Sequence, residues 1–217
     1  MPPFDIECTR PWLVAQFSQA QRMVSWSLNR PGLVDASKVA WRQVGSDDLM
    51  ADLDPIDWFA QKLEGADLST AVGMMTSRDV ETFAHHTARV ENVEAHCVVT
   101  LGLNNGEHIG RRADIAHAAG TINILCHVST PLTDAALLEA ASLVAQARTV
   151  ALMEAGYVRP GFEAIVTGTG TDCIVMAAPI SAECADYAGM HTAIGEAVGA
   201  CVLAATKAAL QQWLSER

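Results

Sequence analysis

The chain is short of aromatic residues, short of positive charge and without any paired-cysteine motif, and each shortage excludes something. Phe, Trp and Tyr make up only 6% of the 217 residues, so the apolar half of the composition (50%) comes from small aliphatic side chains suited to closely packed layers. Lys and Arg number 14 against 25 Asp and Glu, a formal charge of −11. A nucleic-acid binder carries the opposite excess, and an anionic membrane surface would repel this chain. Charged residues are too few (18%) for a disordered polymer. No uninterrupted apolar run approaches the roughly 18 residues of a membrane span. The longest, Ala197 to Thr206, stops at Lys207. Met1 to Asp5 show no basic stretch leading into an apolar one, so no secretory signal is expected. The cysteines lack C-x-x-C spacing, and Cys97, Cys126, Cys173 and Cys201 fall in apolar segments. Buried free thiols in a reducing cytosol are the expectation.

Several chemical signatures are missing as well. There is no G-x-S-x-G elbow and no P-loop lysine. His85 and His86 are adjacent, which on a helix turns them about 100° apart, and His96, His108, His117 and His127 are scattered. None has zinc spacing, so no metal site is expected.

What is present reads as a single α/β or α+β layered domain over residues 1–217, with a mixed sheet packed by helices. Residues 1–70 are the less regular part: Pro11–Phe17 and Val24–Leu28 read as strands, Asn29-Arg-Pro-Gly32 as a turn, and the aspartate-rich 47–57 as a solvated loop entering a short helix. Beyond residue 70 the pattern predicts strands at 71–75, 94–101, 121–128, 164–167 and 173–177, and a short helix over 77–87. A long helix is expected over Asp134–Ala155, capped by Thr133 and closed by Gly156, and another over about Thr192–Leu214. Gly195 and Gly199 give the last helix a small face, suited to close packing or to an interface between copies of the chain.

Two segments could carry chemistry. Thr167-Gly-Thr-Gly-Thr-Asp172 combines close backbone approach at Gly168 and Gly170, hydroxyls at Thr169 and Thr171, and a carboxylate. From spacing alone, a plain hairpin turn between two strands is the simpler reading. Tyr187-Ala-Gly-Met-His-Thr-Ala-Ile-Gly-Glu196 places His191 at the start of the last helix, with Thr192 and Glu196 on one helix face. It reads equally as a packing helix with a surface His and Glu. Asn104, Asn105 and Asn123 offer amides at a strand end or within a strand.

Taken with Met75-Thr-Ser-Arg-Asp-Val80, Thr100-Leu-Gly-Leu-Asn104 and Gly120-Thr-Ile-Asn-Ile-Leu125, these segments make the chain resemble the adenosylcobinamide amidohydrolase family of corrinoid salvage. They run in family order over about two thirds of the sequence. The resemblance implies a cytoplasmic hydrolase that cleaves the amide joining the aminopropanol arm to the corrin ring, releasing adenosylcobyric acid. The corrinoid is then substrate and not cofactor. Such a reaction needs a base for water, donors for the oxyanion and an acid for the leaving amine. The resemblance offers Asp172 or Glu196 as base and His191 as acid. It offers the N–H groups of Gly168–Thr171 with Asn123 as oxyanion donors, and Asn104, Thr121 and Thr192 as further substrate contacts. One departure stands out: where the family carries Thr-Glu-Ala-Lys, this chain has Ala145-Gln-Ala-Arg148. That leaves open a non-catalytic corrinoid binder, an amidohydrolase for another substrate, or, from a different class, an assembly protein.

Overall fold

A computed structural model describes residues 2–45, 48, 54–111 and 119–217. Ten strands and three α-helices occur among them: β1 (Phe4–Thr9), β2 (Trp12–Ser25), β3 (Gly32–Gln43), α1 (Pro55–Gly65), β4 (Val72–Thr76), β5 (Ala84–Val90), β6 (Val93–Leu101), β7 (Gly106–Glu107), β8 (Ile122–Val128), α2 (Asp134–Ala155), β9 (Gly168–Thr169), β10 (Cys173–Pro179) and α3 (Ala193–Ser215).

One sheet runs β4-β3-β2-β10-β8-β6-β5. β10 lies parallel to β8 and β4 to β3, and the other neighbours are antiparallel. The sheet is therefore mixed, as expected. It reaches further into the N-terminal part than the sequence pattern suggests. β1 and β10 share one side of β2: β1 pairs with Trp12–Phe17 and β10 with Gln21–Ser25, across an irregularity between Gln16 and Gln21. Side-chain amides hold that bend, Gln16 Nε2 donating to the Phe17 carbonyl at 2.7 Å and Gln21 Nε2 to Gln19 at 3.1 Å.

Period-2 alternation sorts the strand residues onto two faces. Val99, Ile124 and Ile174 face α2 and α3 in the larger core, which includes Leu137, Val144, Val202 and Trp213. Val98, Leu125 and Val175 face the other way, into a core with Phe4, Leu13, Phe17, Met23, Trp41 and Val72. That second core exists because the β1–β4 half of the sheet curls back over β8, where Asn123 Nδ2 donates to the Met75 carbonyl of β4 at 2.7 Å. Val98, Val99, Ile122, Ile124, Val166, Ile174 and Val175 are all buried, and Ile165 is half-buried.

Both long helices begin and end as the sequence predicts. Thr133 accepts from Ala136 N, and Gly156 takes φ +64°, a left-handed value that spares glycine the Cβ clash. Thr192 caps α3 by accepting from Gly195 N at 3.0 Å. By length and composition alone α2 and α3 could cross a membrane, with mean hydropathy of 1.3 and 1.5 over 18 residues, although no single run in either is that long. Here each lays one side on the sheet.

Three expectations need correcting. Residues 77–87 are not a helix: Asp79 caps one 3₁₀ turn, Val80–Thr82, and the chain then extends into β5, whose backbone bonds go to β6. His85 and His86 consequently sit on opposite faces of a strand. Residues 164–167 are not a strand beyond a single bridge from Ile165 to Val158, so Gly168–Thr171 is no hairpin turn; β9 pairs with β7 while β10 joins the main sheet. Finally β2 ends at Ser25, short of Leu28. His117 and most of the aspartate-rich loop lie outside the described residues.

Candidate functional site

The curl of β4 over the starts of β8 and β10 opens a cleft of about 450 Å³. Separate stretches of the chain meet in it: Trp26–Leu28 after β2, Val44 after β3, Gly73–Met75 on β4 with Ser77 just beyond it, Asn105, Ala119–Thr121 with Asn123 before and on β8, and Gly170–Cys173 leading into β10. Ligand clefts of this size are typically apolar with a few convergent polar groups. Met74, Met75 and Leu28 supply the apolar part, while Ser27, Ser77, Asn105, Thr121, Asn123 and Thr171 supply the polar one.

The polar groups are held by one another. Thr121 Oγ1 donates to the Thr171 carbonyl at 2.9 Å and lies 3.1 Å from Asn123 Oδ1, and Thr171 Oγ1 donates to the Gly120 carbonyl at 3.0 Å. Gly120 has to be glycine, since a Cβ there would stand 2.8 Å from Asn105 Oδ1 and 2.9 Å from Asn104 N. Gly170 faces open space, so a ligand can approach its backbone.

Asp172 organises this end of the sheet. Its Oδ1 accepts from Ile122 N at 3.0 Å and from the Thr169 hydroxyl; its Oδ2 accepts from Thr169 N at 3.1 Å and from the Arg148 guanidinium. A carboxylate has about four lone-pair positions, and here four donors occupy them. The Arg148 and Asp172 side chains are only 14% and 10% exposed, so this is a buried ion pair linking α2 to the glycine-rich turn. Burial pushes the Arg148 pKa down from its ordinary value. Gly168 and Thr169 stand behind the cleft and serve the same arrangement: a side chain at Gly168 would meet Asp172 Oδ2 at 2.8 Å.

Of the residues singled out from sequence, Asn105, Thr121, Asn123, Gly170, Thr171 and Asp172 line the cleft. Asn104 turns away, its side chain meeting Arg217 and its carbonyl accepting from Arg159 at 3.1 Å. His191, Thr192 and Glu196 do not come to the cleft. The C-terminal end of α3 lies at the cleft end of the sheet, where Glu216 pairs with Arg78 and Arg217 reaches Asn104. Helix α3 spans 23 residues, about 34 Å at 1.5 Å per residue, which carries its start to the far end. There the glycines of Tyr187–Glu196 do packing work: Ala188 N donates to Glu139 Oε2 at 2.7 Å, and a Cβ on Gly195 would fall 2.2 Å from the Gly189 carbonyl. His191 and Glu196 are exposed. Gln146, the site of the departure from the family pattern, is exposed on α2, whereas Arg148 two residues on points inward to Asp172.

Sequence reading missed Trp26, Ser27, Leu28 and Ser77. The alternation of Val24–Leu28 was visible, but it suggests the apolar residues inside. The structure inverts it: Ser25 and Ser27 are buried, while Trp26 and Leu28 are 54% and 43% exposed.

Among the described residues no group of three or more His, Cys, Asp or Glu side chains is arranged to hold a metal ion. The cysteines are free, and burial pushes the Cys173 thiol at the cleft wall up to about 12, where it is no nucleophile at neutral pH.

Fold and cleft together define a layered mixed-sheet domain with a ligand-sized, amide- and hydroxyl-lined opening at one end of its central strands. The sequence pattern of the adenosylcobinamide amidohydrolase family matches residues 3–217, and the chain belongs to that family. It is 34% identical over 91 residues to an adenosylcobinamide amidohydrolase of Halobacterium salinarum, a stretch covering 42% of this chain and 36% of that protein. Among solved structures it is similar to the PH0078 protein of Pyrococcus horikoshii OT3 (TM-score 0.49, 11% identity, covering 97% of this chain and 80% of that one). A Burkholderia sp. beta-aminopeptidase is also similar (TM-score 0.45, 12% identity, 92% and 78%).

Proposed function

We propose that the chain hydrolyses the amide between the aminopropanol arm and the corrin ring of adenosylcobinamide, giving adenosylcobyric acid in cobalamin salvage in the cytoplasm. One observation carries the site assignment: residues of three separated family motifs, Met75, Thr121 with Asn123, and Gly170–Asp172, line a single cleft. The corrinoid enters as substrate, and no resident metal or cofactor is part of the reading. In this reading the hydroxyls and amides of Ser27, Ser77, Asn105 and Thr171 hold the polar arm, and the open backbone at Gly170 supplies an oxyanion donor. Asp172 is a positioning residue: taking a proton would cost it one of its four donors. Its effect on the reaction passes through the turn that it and Arg148 hold.

The same saturation of Asp172 favours a second reading, a corrinoid binder without turnover. Incubation with adenosylcobinamide separates the two. Release of adenosylcobyric acid and aminopropanol supports hydrolysis, and binding without either product supports the carrier.

A further inference from the structure

Trp26 and Leu28 are large, apolar and exposed, yet they are not loose. They alternate with the buried Ser25 and Ser27 just beyond the end of β2, and both line the cleft. The segment is clamped at both ends by polar bonds. Trp26 Nε1 donates to the Asp172 carbonyl at 2.6 Å, which fixes the plane of a half-exposed indole. Ser25 Oγ accepts from Ser27 N at 3.3 Å. Asn29 grips β4 with both ends of its amide, donating to the Ala71 carbonyl at 2.8 Å and accepting from Gly73 N at 2.9 Å. Gly73 keeps that grip possible, because a Cβ there would stand 2.7 Å from the Phe59 ring and 3.2 Å from Asn29 Oδ1.

An exposed indole ordinarily gains little from a fixed orientation, and a bound flat ligand is what benefits from one. Size points the same way. A cleft of about 450 Å³ suits one polar arm and a few neighbouring atoms, not a macrocycle. A ligand carrying its amide on an arm must leave its ring outside, against the mouth, and Trp26 and Leu28 are the apolar groups standing there.

We infer that Trp26, with Leu28, forms a platform on which the apolar face of the substrate's macrocycle rests while its amide arm enters the cleft. Trp26 is thus a specificity-determining residue. This rests on the corrinoid reading above. The tether to Asp172 couples the platform to the turn, so a seated ring sets the depth of the arm.

The test compares wild type, Trp26→Ala, Trp26→Phe and Leu28→Ala. Equilibrium dialysis with cobinamide reads binding, steady-state turnover of adenosylcobinamide reads KM and kcat, and an N-acyl aminopropanol lacking the ring serves as control. Trp26→Ala is expected to weaken binding and raise KM about tenfold, as loss of an aromatic stacking surface does, with kcat changed less than about threefold. Trp26→Phe, which keeps a flat ring but loses the bond to the Asp172 carbonyl, should recover only part of the loss, and Leu28→Ala should weaken binding about threefold. Each should cost less on the ringless amide than on adenosylcobinamide. Unchanged cobinamide binding in both alanine variants overturns the platform and leaves the hydrolase reading standing. Weakened binding in a protein that shows no turnover keeps the platform and removes the hydrolase. A wild type that binds no corrinoid removes both. Equal losses on the ringless amide show that Trp26 acts only through the turn, and overturn the platform.

Discussion

At the starts of β8 and β10, segments as distant in sequence as Trp26, Met75, Thr121 and Thr171 close around one cleft; at the far end of the same strands, 187–196, which also holds two glycines, packs on α2, on itself and into the core. Both stretches look like motifs, and both need their glycines for close backbone approach. The difference lies in what the glycines approach. Gly168 makes room for a buried carboxylate held by Arg148, and Gly170 leaves its backbone open to the cleft. Gly189 makes room for Glu139, and Gly195 for the backbone of Ala188 and Gly189, which seats the start of α3. A dense motif can therefore mark a helix entry as readily as a site, and only the neighbour across the gap tells them apart.

The comparison breaks most visibly at Asp172. Asp172→Asn leaves Arg148 buried without its partner, and removing one member of a buried pair costs about 3–5 kcal/mol. Denaturant unfolding should show that loss, and turnover of adenosylcobinamide should fall about 100-fold or more as the turn relaxes. Arg148→Gln should lower turnover similarly. If only Asp172→Asn does so, Asp172 acts on the substrate directly and the positioning role given to it here is wrong.

A second test sharpens the far end through pH. His127, at the end of β8, is buried beside the Phe17 ring with Nε2 3.2 Å from Gln21 Oε1, and burial holds its imidazole down to about 3 against an ordinary 6.5. Below 6.5 the unfolded chain takes up a proton that the folded protein refuses until about 3. The unfolded state thus binds more protons in that window, so stability is fully present above it and declines as pH falls. Between pH 7.5 and 5 the loss from this group should be about 2 kcal/mol, at roughly 1.4 kcal/mol per unit. Denaturant melts of His127→Gln at the two pH values should show a correspondingly smaller difference.

The smallest effects belong to the motif residues away from the cleft. Thr192→Ala removes the cap of α3 and should cost about 1 kcal/mol without changing KM. His191→Ala and Gln146→Glu, both at exposed positions, should each stay within about 0.5 kcal/mol of wild type and leave turnover within about twofold. A His191→Ala protein that is stable but inactive would mean that the two ends of the strands cooperate in the reaction, and the contrast drawn between them would fail.

Local signals in the sequence carried far. Thr133 and Gly156 bound α2 because a cap hydroxyl and a left-handed glycine act within one turn. The strands at 94–101, 121–128 and 173–177 were legible because their apolar runs and flanking glycines are local too. The same locality misled at 77–87. Its residues suit a helix, and β6 claims the backbone instead through bonds that no nearby residue announces. The N-terminal strands were underestimated for a related reason: β2 is long only because β1, β3 and β10 pair with different parts of it.

By itself the sequence determined the layered α/β class, the caps and ends of the long helices, the family and the glycine-rich turn with its aspartate. The tertiary structure alone decided which residues meet. It turned Arg148 inward and Gln146 outward on the same helix, since a helix advances about 100° per residue and only packing says which side faces the sheet. It set Trp26 and Leu28 outside and Ser25 and Ser27 inside, because alternation fixes that two residues share a side and not which side is buried. And it placed His191 a helix length from the cleft, a separation that only the packing of α3 across the sheet sets.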